Sequence, residues 1–179
     1  MSVSLEELIA RLSRLCPPEA SPASSEGPAP AESPAAPAVA LAPAPAVTNG
    51  CRLVDYAAKG YHLDAIVPPD KVVEAARLLD EAGFGLDAVT GVDWLAQEQM
   101  EVVYDYFHPS ASWRVAVRCR LPRQTPEVAT ISTVFPGANW HERETHDFFG
   151  IQFVGHPDLS PFLLPEDADY HPLRKDFVA

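Results

Sequence analysis

The sequence contains few cysteines, and their number and spacing exclude two kinds of site. Cys16, Cys51 and Cys119 are the three cysteines among 179 residues, and none belongs to a C-x-x-C pair. Three thiolates cannot supply the four ligands of an ordinary iron–sulfur cluster without another residue type. A sparse, odd number also argues against the disulfide framework of a small secreted protein. We therefore expect reduced, structural thiols in a cytosolic protein.

Basic residues are scarce as well, and this shortage excludes a class of partner. Thirteen lysines and arginines stand against twenty-five aspartates and glutamates, which gives a formal net charge of −12. A polyanionic chain repels the phosphates of nucleic acids and the headgroups of anionic lipids. We therefore expect no nucleic-acid partner.

No hydrophobic run is long enough to span a bilayer. The most apolar stretch, residues 35–47, is interrupted by prolines and is shorter than the roughly 20 residues that a membrane helix requires. Residues 1–15 mix charged side chains with leucines, so they lack the apolar centre of a signal peptide. We expect the chain to meet a membrane only through partner proteins.

The sequence also lacks the local patterns of common active sites. No glycine-rich phosphate loop opens a helix, and no serine lies in a nucleophile elbow. The most polar cluster, residues 140–147, contains His141 and His146, which would lie about 140° apart around a helix. Two such imidazoles cannot bind one metal ion, which needs histidines four positions apart. The sequence therefore predicts no catalytic residue, no metal site and no cofactor in this chain.

Two carboxylates in this cluster leave an enzymatic alternative open. Glutamate is a common general base, and Glu142 and Glu144 lie close together in the chain. Residues two positions apart point to different sides of a helix, which favours a structural role for both. The alternative is a free-standing enzyme that uses Glu142 or Glu144 as its base.

The chain divides into four parts by composition. Residues 1–15 carry leucines at helical spacing, with Ser4 and Glu7 as a capping box. Residues 16–50 are rich in alanine and proline and predict a flexible linker, because they bury too little surface to offset their conformational entropy. We interpret residues 51–150 as the globular domain and residues 151–179 as an extended arm. A second alternative is an adaptor that recruits other proteins through the helix and the linker.

Periodicity within the globular domain predicts an α+β fold. The predicted strands are residues 60–67, 86–94, 100–107 and 113–121. A helix is expected to begin near Asp70 and to stop at Gly83. Val115 and Val117 alternate with polar or small residues, which indicates a sheet with one solvated side. The expected architecture is a largely antiparallel sheet with helices packed on one face.

A further helix is predicted over residues 139–150. Asn139 can cap it with Glu142 in capping-box position, and Gly150 would end it. Arg143 and Asp147 are four positions apart, so we expect them to pair on one face.

The expected arm, residues 151–179, has the composition of a segment that binds a surface. Its four prolines exclude most regular structure, yet many of its residues are apolar. These are Ile151, Phe153, Phe162, Leu163, Leu164, Leu173 and Phe177. Such a segment must lie against its own domain or against a neighbour.

From residue 138 onward the sequence closely resembles the thirty-kilodalton subunit family of complex I, the family of the C-type subunit of NADH–quinone oxidoreductase. The matching residues are 138–144, 147–151, 153, 155–159, 163–167 and 171–177. Several short motifs in the right order make this a specific match. The N-terminal helix and the linker lie outside the common pattern.

The resemblance implies a non-catalytic subunit on the peripheral arm of a proton-translocating NADH:quinone oxidoreductase, at the cytoplasmic face of the inner membrane. It implies contact with the quinone-site subunit of the forty-nine-kilodalton type and with iron–sulfur subunits. NADH, FMN, iron–sulfur clusters and quinone would then lie in partner subunits, with no redox centre here. The implied partner-interface residues are Trp140, Glu142, Arg143, Glu144, Asp147, Gly150, His156, Pro157, Leu163, Leu164, Arg174, Lys175 and Asp176.

The sequence departs from the family pattern at two places. Ser160 and Pro161 stand where many members carry basic residues, and Thr145-His146 stands where an aromatic is common at the second position. These departures and the N-terminal extension leave open a related assembly. That assembly is a membrane-bound energy-converting nickel–iron hydrogenase, which uses a homologous subunit beside its large subunit.

Overall fold

A computed structural model describes residues 5–16 and 50–178. The helices are α1 (Leu5–Leu15), α2 (Tyr56–Lys59), α3 (Val72–Glu81) and α4 (Ala138–Phe149). The strands are β1 (Cys51–Leu53), β2 (Leu63–Ile66), β3 (Gly85–Trp94), β4 (Gln99–His108), β5 (Trp113–Pro122), β6 (Glu127–Ala129) and β7 (Gln152–Val154). The Ser4 cap and all but the two end residues of the expected linker lie outside the described residues. Within the described residues, no helix has the length and apolar character needed to cross a membrane.

Five strands form the main sheet in the order β1-β2-β5-β4-β3. Neighbouring strands are antiparallel except for β2 and β5, which pair in parallel with Leu63 opposite Val115. The prediction of an α+β fold with a largely antiparallel sheet is therefore confirmed. The parallel pair was not predicted, because side-chain alternation gives the two faces of a strand but not its direction.

One face of the sheet packs against helices and forms the core. Val102 and Tyr104 of β4 contribute fully buried side chains, and Leu79 of α3 packs in the same cluster. The amphipathic α1 also buries its apolar side there, with Leu8 2% and Leu12 0% exposed. The N-terminal helix therefore packs against its own domain.

The opposite face of the sheet carries buried carboxylates covered by arginines. Arg52 and Arg118 bind the two carboxylate oxygens of Asp64 at 2.8 and 2.9 Å. Arg120 binds Glu101 at 3.1 Å, and both carboxylate side chains are at most 3% exposed. Because every one of these charges has a partner, this face tolerates the burial of its acids.

The first residues of the expected arm belong to the folded core. Ile151 is 0% and Phe153 is 1% exposed, and β7 pairs in parallel with β6. A chain cut after Gly150 would therefore lose core side chains as well as the arm. Residues 155–178 contain turns and bends without a helix or strand.

Helix α4 packs closely on β3, the edge strand of the sheet. Thr145 Oγ1 donates a hydrogen bond to the carbonyl oxygen of Val89 at 3.4 Å. Next to it, a Cβ atom on Gly91 would lie 2.5 Å from Cδ2 of Phe149. Glycine at position 91 thus sets the distance between α4 and the sheet.

We predict that Gly91→Ala destabilises the domain by about 1–3 kcal/mol, because the added methyl group overpacks the contact with Phe149. Thermal and denaturant unfolding of the full-length chain measure the change. Gly137→Ala is the matched control, since a Cβ there meets no atom within 4 Å. Equal stability of the two variants would show that α4 can shift freely on the sheet.

Candidate partner interface

The start of α4 differs from the predicted cap. The residue before the helix is Gly137, and no side chain makes a capping hydrogen bond there. The predicted capping box of Asn139 and Glu142 is therefore wrong. Glu142 turns inward instead, is 0% exposed, and accepts hydrogen bonds from Thr130 Oγ1 at 2.5 Å and from the N–H of Ile131 at 2.8 Å. It thus joins α4 to the loop after β6.

Burial dominates the electrostatics of Glu142. The loss of hydration raises its pKa from 4.5 to about 7, although the hydrogen bonds from Thr130 and Ile131 act in the opposite direction. His156 lies beside it, with Nε2 at 3.8 Å from Glu142 Oε2 and its side chain 0% exposed. The Nδ1 atom of His156 accepts the N–H of Asp158, so Nε2 carries the proton and donates to the carbonyl oxygen of Asn139 at 3.2 Å.

Asp147 binds the backbone of the C-terminal segment, which we define as residues 155–178. Its Oδ2 atom accepts hydrogen bonds from the N–H groups of Phe162, Leu163 and Leu164 at 2.8, 2.7 and 3.3 Å. The predicted pair of Arg143 and Asp147 is therefore wrong. The reason is that three consecutive backbone N–H groups offer the buried Asp147 carboxylate more hydrogen bonds than the partly buried guanidinium of Arg143 would.

Arg143 also binds the C-terminal segment. Its Nη2 atom donates to the carbonyl oxygens of Ser160 at 3.0 Å and Pro161 at 3.1 Å. The guanidinium lies over the rings of Trp140 and Phe162, 5.4 and 5.2 Å from their centroids. The position of Phe162 beside Trp140 thus depends on Arg143.

The last carbonyl groups of α4 receive donors from the C-terminal segment. The carbonyl oxygens of Asp147 and Phe149 pair with His171 Nδ1 at 2.8 Å and Arg174 Nε at 2.7 Å. Between them, the N–H of Leu173 donates to the oxygen of Phe148 at 3.2 Å. These carbonyls would otherwise lack partners at a helix end.

Gly150 permits this arrangement. As predicted, it ends the helix, with φ +73° and its N–H bonded to the oxygen of His146. A Cβ at this position would lie 2.5 Å from atoms of both His171 and Arg174. Glycine is therefore required by the backbone conformation and by the close approach of the segment.

A buried ion pair holds the end of the segment. Arg123, which follows β5, makes a bidentate contact to Asp93 at 2.9 and 3.0 Å and reaches Asp176 at 2.6 Å. Asp93 also accepts the N–H of Lys175 at 2.9 Å. The hydrogen bond from Arg123 lowers the pKa of Asp93 despite its burial. Sequence analysis missed Asp93 and Arg123, because two residues so far apart in the chain give no local pattern.

These internal bonds leave an apolar surface facing outward. Trp140 is 55% exposed and its ring centroid lies 5.0 Å from that of Phe162. Leu163 beside Phe162 is 54% exposed. We call Trp140, Arg143, Phe162 and Leu163 the Trp140 surface. Farther along the segment, the exposed rings of Tyr170 and Phe177 stack at 5.6 Å.

The thirteen residues carried over from the family all lie on α4 or in the chain that follows it. Glu142, Asp147 and Gly150 are buried, and so is the ring of His156. These four residues therefore support the surface from inside the domain and are not exposed on it. Arg143, Leu164 and Arg174 are partly buried. Trp140, Glu144, Pro157, Leu163, Lys175 and Asp176 are exposed. In residues 5–16 and 50–178, no group of three or more His, Cys, Asp or Glu side chains could hold a metal ion.

Known proteins are similar to this chain in sequence. The C-type subunit of NADH-quinone oxidoreductase from Roseiflexus sp. strain RS-1 is 42% identical over 119 residues, covering 64% of this chain and 68% of that protein. The C-type subunit of the F(420)H(2) dehydrogenase from Methanosarcina mazei is 38% identical over 120 residues, covering 63% of this chain and 73% of that protein.

Two solved structures are similar as well. A chain of the membrane-bound sulfane sulfur reductase, an archaeal respiratory membrane complex, has a TM-score of 0.60 at 30% identity over 65% of this chain and 71% of that chain. The trypsin-resistant fragment of Nqo5 has a TM-score of 0.51 at 32% identity over 57% of this chain and 92% of the fragment. The family model for the respiratory-chain NADH dehydrogenase, 30 kDa subunit, matches residues 65–179. This protein therefore belongs to the 30 kDa subunit family of complex I, the family of the C-type subunit of NADH–quinone oxidoreductase.

Proposed function

We propose that this chain is a structural subunit, without a redox centre, of the peripheral arm of a respiratory NADH:quinone oxidoreductase. It positions a quinone-site subunit of the forty-nine-kilodalton type and iron–sulfur subunits for electron transfer. NADH, FMN, iron–sulfur clusters and quinone bind to those partners. The complex holds the chain at the cytoplasmic face of the membrane.

The observation that carries this proposal is the Trp140 surface. Exposed tryptophan and arginine side chains are enriched where protein interfaces gain most of their binding free energy. Here the hydrogen bonds of Asp147 and Arg143 to the C-terminal segment hold Trp140, Phe162 and Leu163 in place before a partner binds. Little conformational entropy is then lost on assembly, which favours a positioning role.

The family's relatives suggest a second candidate. They include subunits of an F(420)H(2) dehydrogenase and of a sulfane sulfur reductase, so similar subunits serve enzymes with different substrates. The equivalent subunit of a membrane-bound energy-converting nickel–iron hydrogenase is consistent with the same surface. The chemistry in each case would come from partner subunits.

Co-purification tests the proposal. The full-length chain is tagged in its native host, membranes are solubilised in a mild detergent, and the recovered proteins are identified by mass spectrometry. A quinone-site subunit together with NADH-linked iron–sulfur subunits supports the first candidate, and a nickel-bearing large subunit supports the second. A chain that elutes alone from the soluble fraction contradicts both and revives the general-base hypothesis for Glu142 or Glu144.

We predict that Trp140→Ala lowers the recovery of the partner subunits at least tenfold, because loss of a central interface tryptophan costs about 2 kcal/mol or more of binding free energy. The measurement is quantitative mass spectrometry of the tagged complex. Leu53→Ala is the matched control: Leu53 is 62% exposed and lies on β1, at the opposite edge of the sheet from α4. We expect the control to retain normal recovery.

Unfolding temperatures of both variants separate binding from folding. Each truncates an exposed side chain, so both should unfold within a few degrees of the parent protein. Normal recovery of partners with Trp140→Ala would show that another surface makes the contact.

The contribution of the buried Glu142 of α4 to the stability of the domain depends on pH. Glu142 has a pKa of about 7 in the folded chain, raised by burial above the 4.5 of an exposed glutamate. The folded state therefore binds the proton more tightly, and Glu142 contributes most to stability below pH 4.5. This contribution falls as the pH rises through about 7, by about 3 kcal/mol in total.

We predict that Glu142→Gln removes this fall. The measured quantity is the free energy of unfolding of Glu142→Gln minus that of the parent protein. This difference should rise by about 3 kcal/mol between pH 4.5 and about pH 8, and its value at low pH does not affect the test. Denaturant titrations across this range measure the difference. Glu144→Gln is the control for removing a carboxylate from α4, because its side chain is exposed on the same helix. A flat difference for Glu142→Gln would mean that the buried carboxyl is ionised throughout.

A further inference from the structure

Two of the three cysteines come together although they are far apart in the chain. Cys16 directly follows α1, and Cys51 is the first residue of β1. Both belong to the hydrophobic core, with 5% and 8% of their surface exposed. The third, Cys119, is also buried in that core but lies on β5.

The contact between these two segments is unusually close at Gly50. A Cβ atom on Gly50 would lie 2.7 Å from Cβ of Cys16 and 3.4 Å from its Sγ atom. The side chain of Cys16 therefore rests directly against the residue that precedes Cys51. Gly50 is also held in place, because its carbonyl oxygen accepts the N–H of Ile66 on β2.

The two thiols differ in their tendency to ionise. A hydrogen bond between the Cys16 and Cys51 thiols lowers the pKa of Cys51 and raises that of Cys16. A hydrogen bond from Ser13 of α1 lowers the pKa of Cys51 further. A thiolate is the attacking species in disulfide exchange, so Cys51 is the nucleophile of the pair and Cys16 is the resolving thiol.

We propose that Cys16 and Cys51 form a redox site that a low-molecular-weight disulfide, such as oxidised glutathione, converts into an intramolecular disulfide. The Cys51 thiolate attacks one sulfur of the small disulfide, forms a mixed disulfide and releases one thiol. The Cys16 thiolate, after losing its proton to solvent, then attacks Sγ of Cys51 and releases the second thiol. The two cysteines lose two electrons and two protons, and the small disulfide gains them as two thiols.

The disulfide would join α1 covalently to β1. A single 11-residue helix opens more readily than the centre of a sheet. Both thiols are buried, so the exchange proceeds when α1 opens locally. Once formed, the bond keeps α1 on the domain. The site lies N-terminal to the family match, which begins at residue 65, and so is independent of the proposed assembly role.

Peptide mass spectrometry tests the proposal directly. The full-length chain is equilibrated with oxidised glutathione, quenched in acid, denatured, alkylated at free thiols and digested with trypsin. Residues 15–52 contain both cysteines and no internal lysine or arginine, so one tryptic peptide carries the pair. We expect this peptide to lose two hydrogen atoms and to resist alkylation at both positions, while Cys119 remains alkylated.

A second digestion identifies the bond. Cleavage after Glu19, Glu26 and Glu32 divides the tryptic peptide, and its two cysteine-containing ends stay joined only if a disulfide connects them. Cys16→Ser should stop the reaction at a glutathione adduct on Cys51, whereas Cys119→Ser should leave the disulfide unchanged. The oxidised parent should unfold on the order of 5–10 °C above the reduced form, a difference that Cys16→Ser lacks.

Three outcomes would overturn the proposal. The first is full alkylation of Cys16 and Cys51 at a glutathione ratio that oxidises a reference dithiol. The second is a glutathione adduct on Cys51 that persists in the parent chain. The third is a disulfide that involves Cys119 or a second chain. None of these depends on whether the chain assembles with partners.

Discussion

The C-terminal end of α4 sets the constraint on which the candidate interface depends. Its last carbonyl groups need donors, and the segment that follows supplies them through His171, Leu173 and Arg174. Gly150 makes this geometry possible by taking a left-handed conformation with no side chain in the way. A segment without helix or strand thereby gains a defined path along the helix. Without these bonds, the apolar side chains of residues 155–178 would have no fixed relation to the domain.

Buried carboxylates fix other parts of the chain near the candidate interface by accepting hydrogen bonds from them. Glu142, Asp147 and Asp93 each direct their hydrogen-bonding capacity to loops or backbone of the same chain. Such acids are costly to bury unless they are paired, so each one specifies the position of what it binds. Glu142 and Asp147 of the family signature therefore bind groups within the chain, whereas the apolar Trp140 and Leu163 remain exposed. A surface of this kind suits a subunit that holds partners in fixed positions.

The N-terminal helix α1 lies outside the part of the chain that matches the family. It packs Leu8 and Leu12 into the core and brings Cys16 against the residue before Cys51. The family match begins only at residue 65, after β1 and within β2. The helix thus adds core area to a sheet edge away from α4, and any chemistry of its thiols is separated from the Trp140 surface by the whole sheet.

Sequence alone determined the local features of this protein: four of its strands and α3, the end of α4 at Gly150, and the family, because alternation, helix-stop glycines and ordered short motifs are properties of neighbouring residues. It did not determine which groups meet across the fold. The capping role of Glu142 and the pairing of Arg143 with Asp147 were inferred from spacings of three and four residues. In both cases the carboxylate instead binds groups that are more distant in the sequence. Thr130 and the backbone N–H of Ile131 donate hydrogen bonds to Glu142, and backbone N–H groups around Leu163 donate to Asp147. Only the tertiary structure decided these contacts, the parallel pair of β2 and β5, and the ion pair of Asp93 with Arg123, since a buried charge binds whatever donors the fold brings within reach.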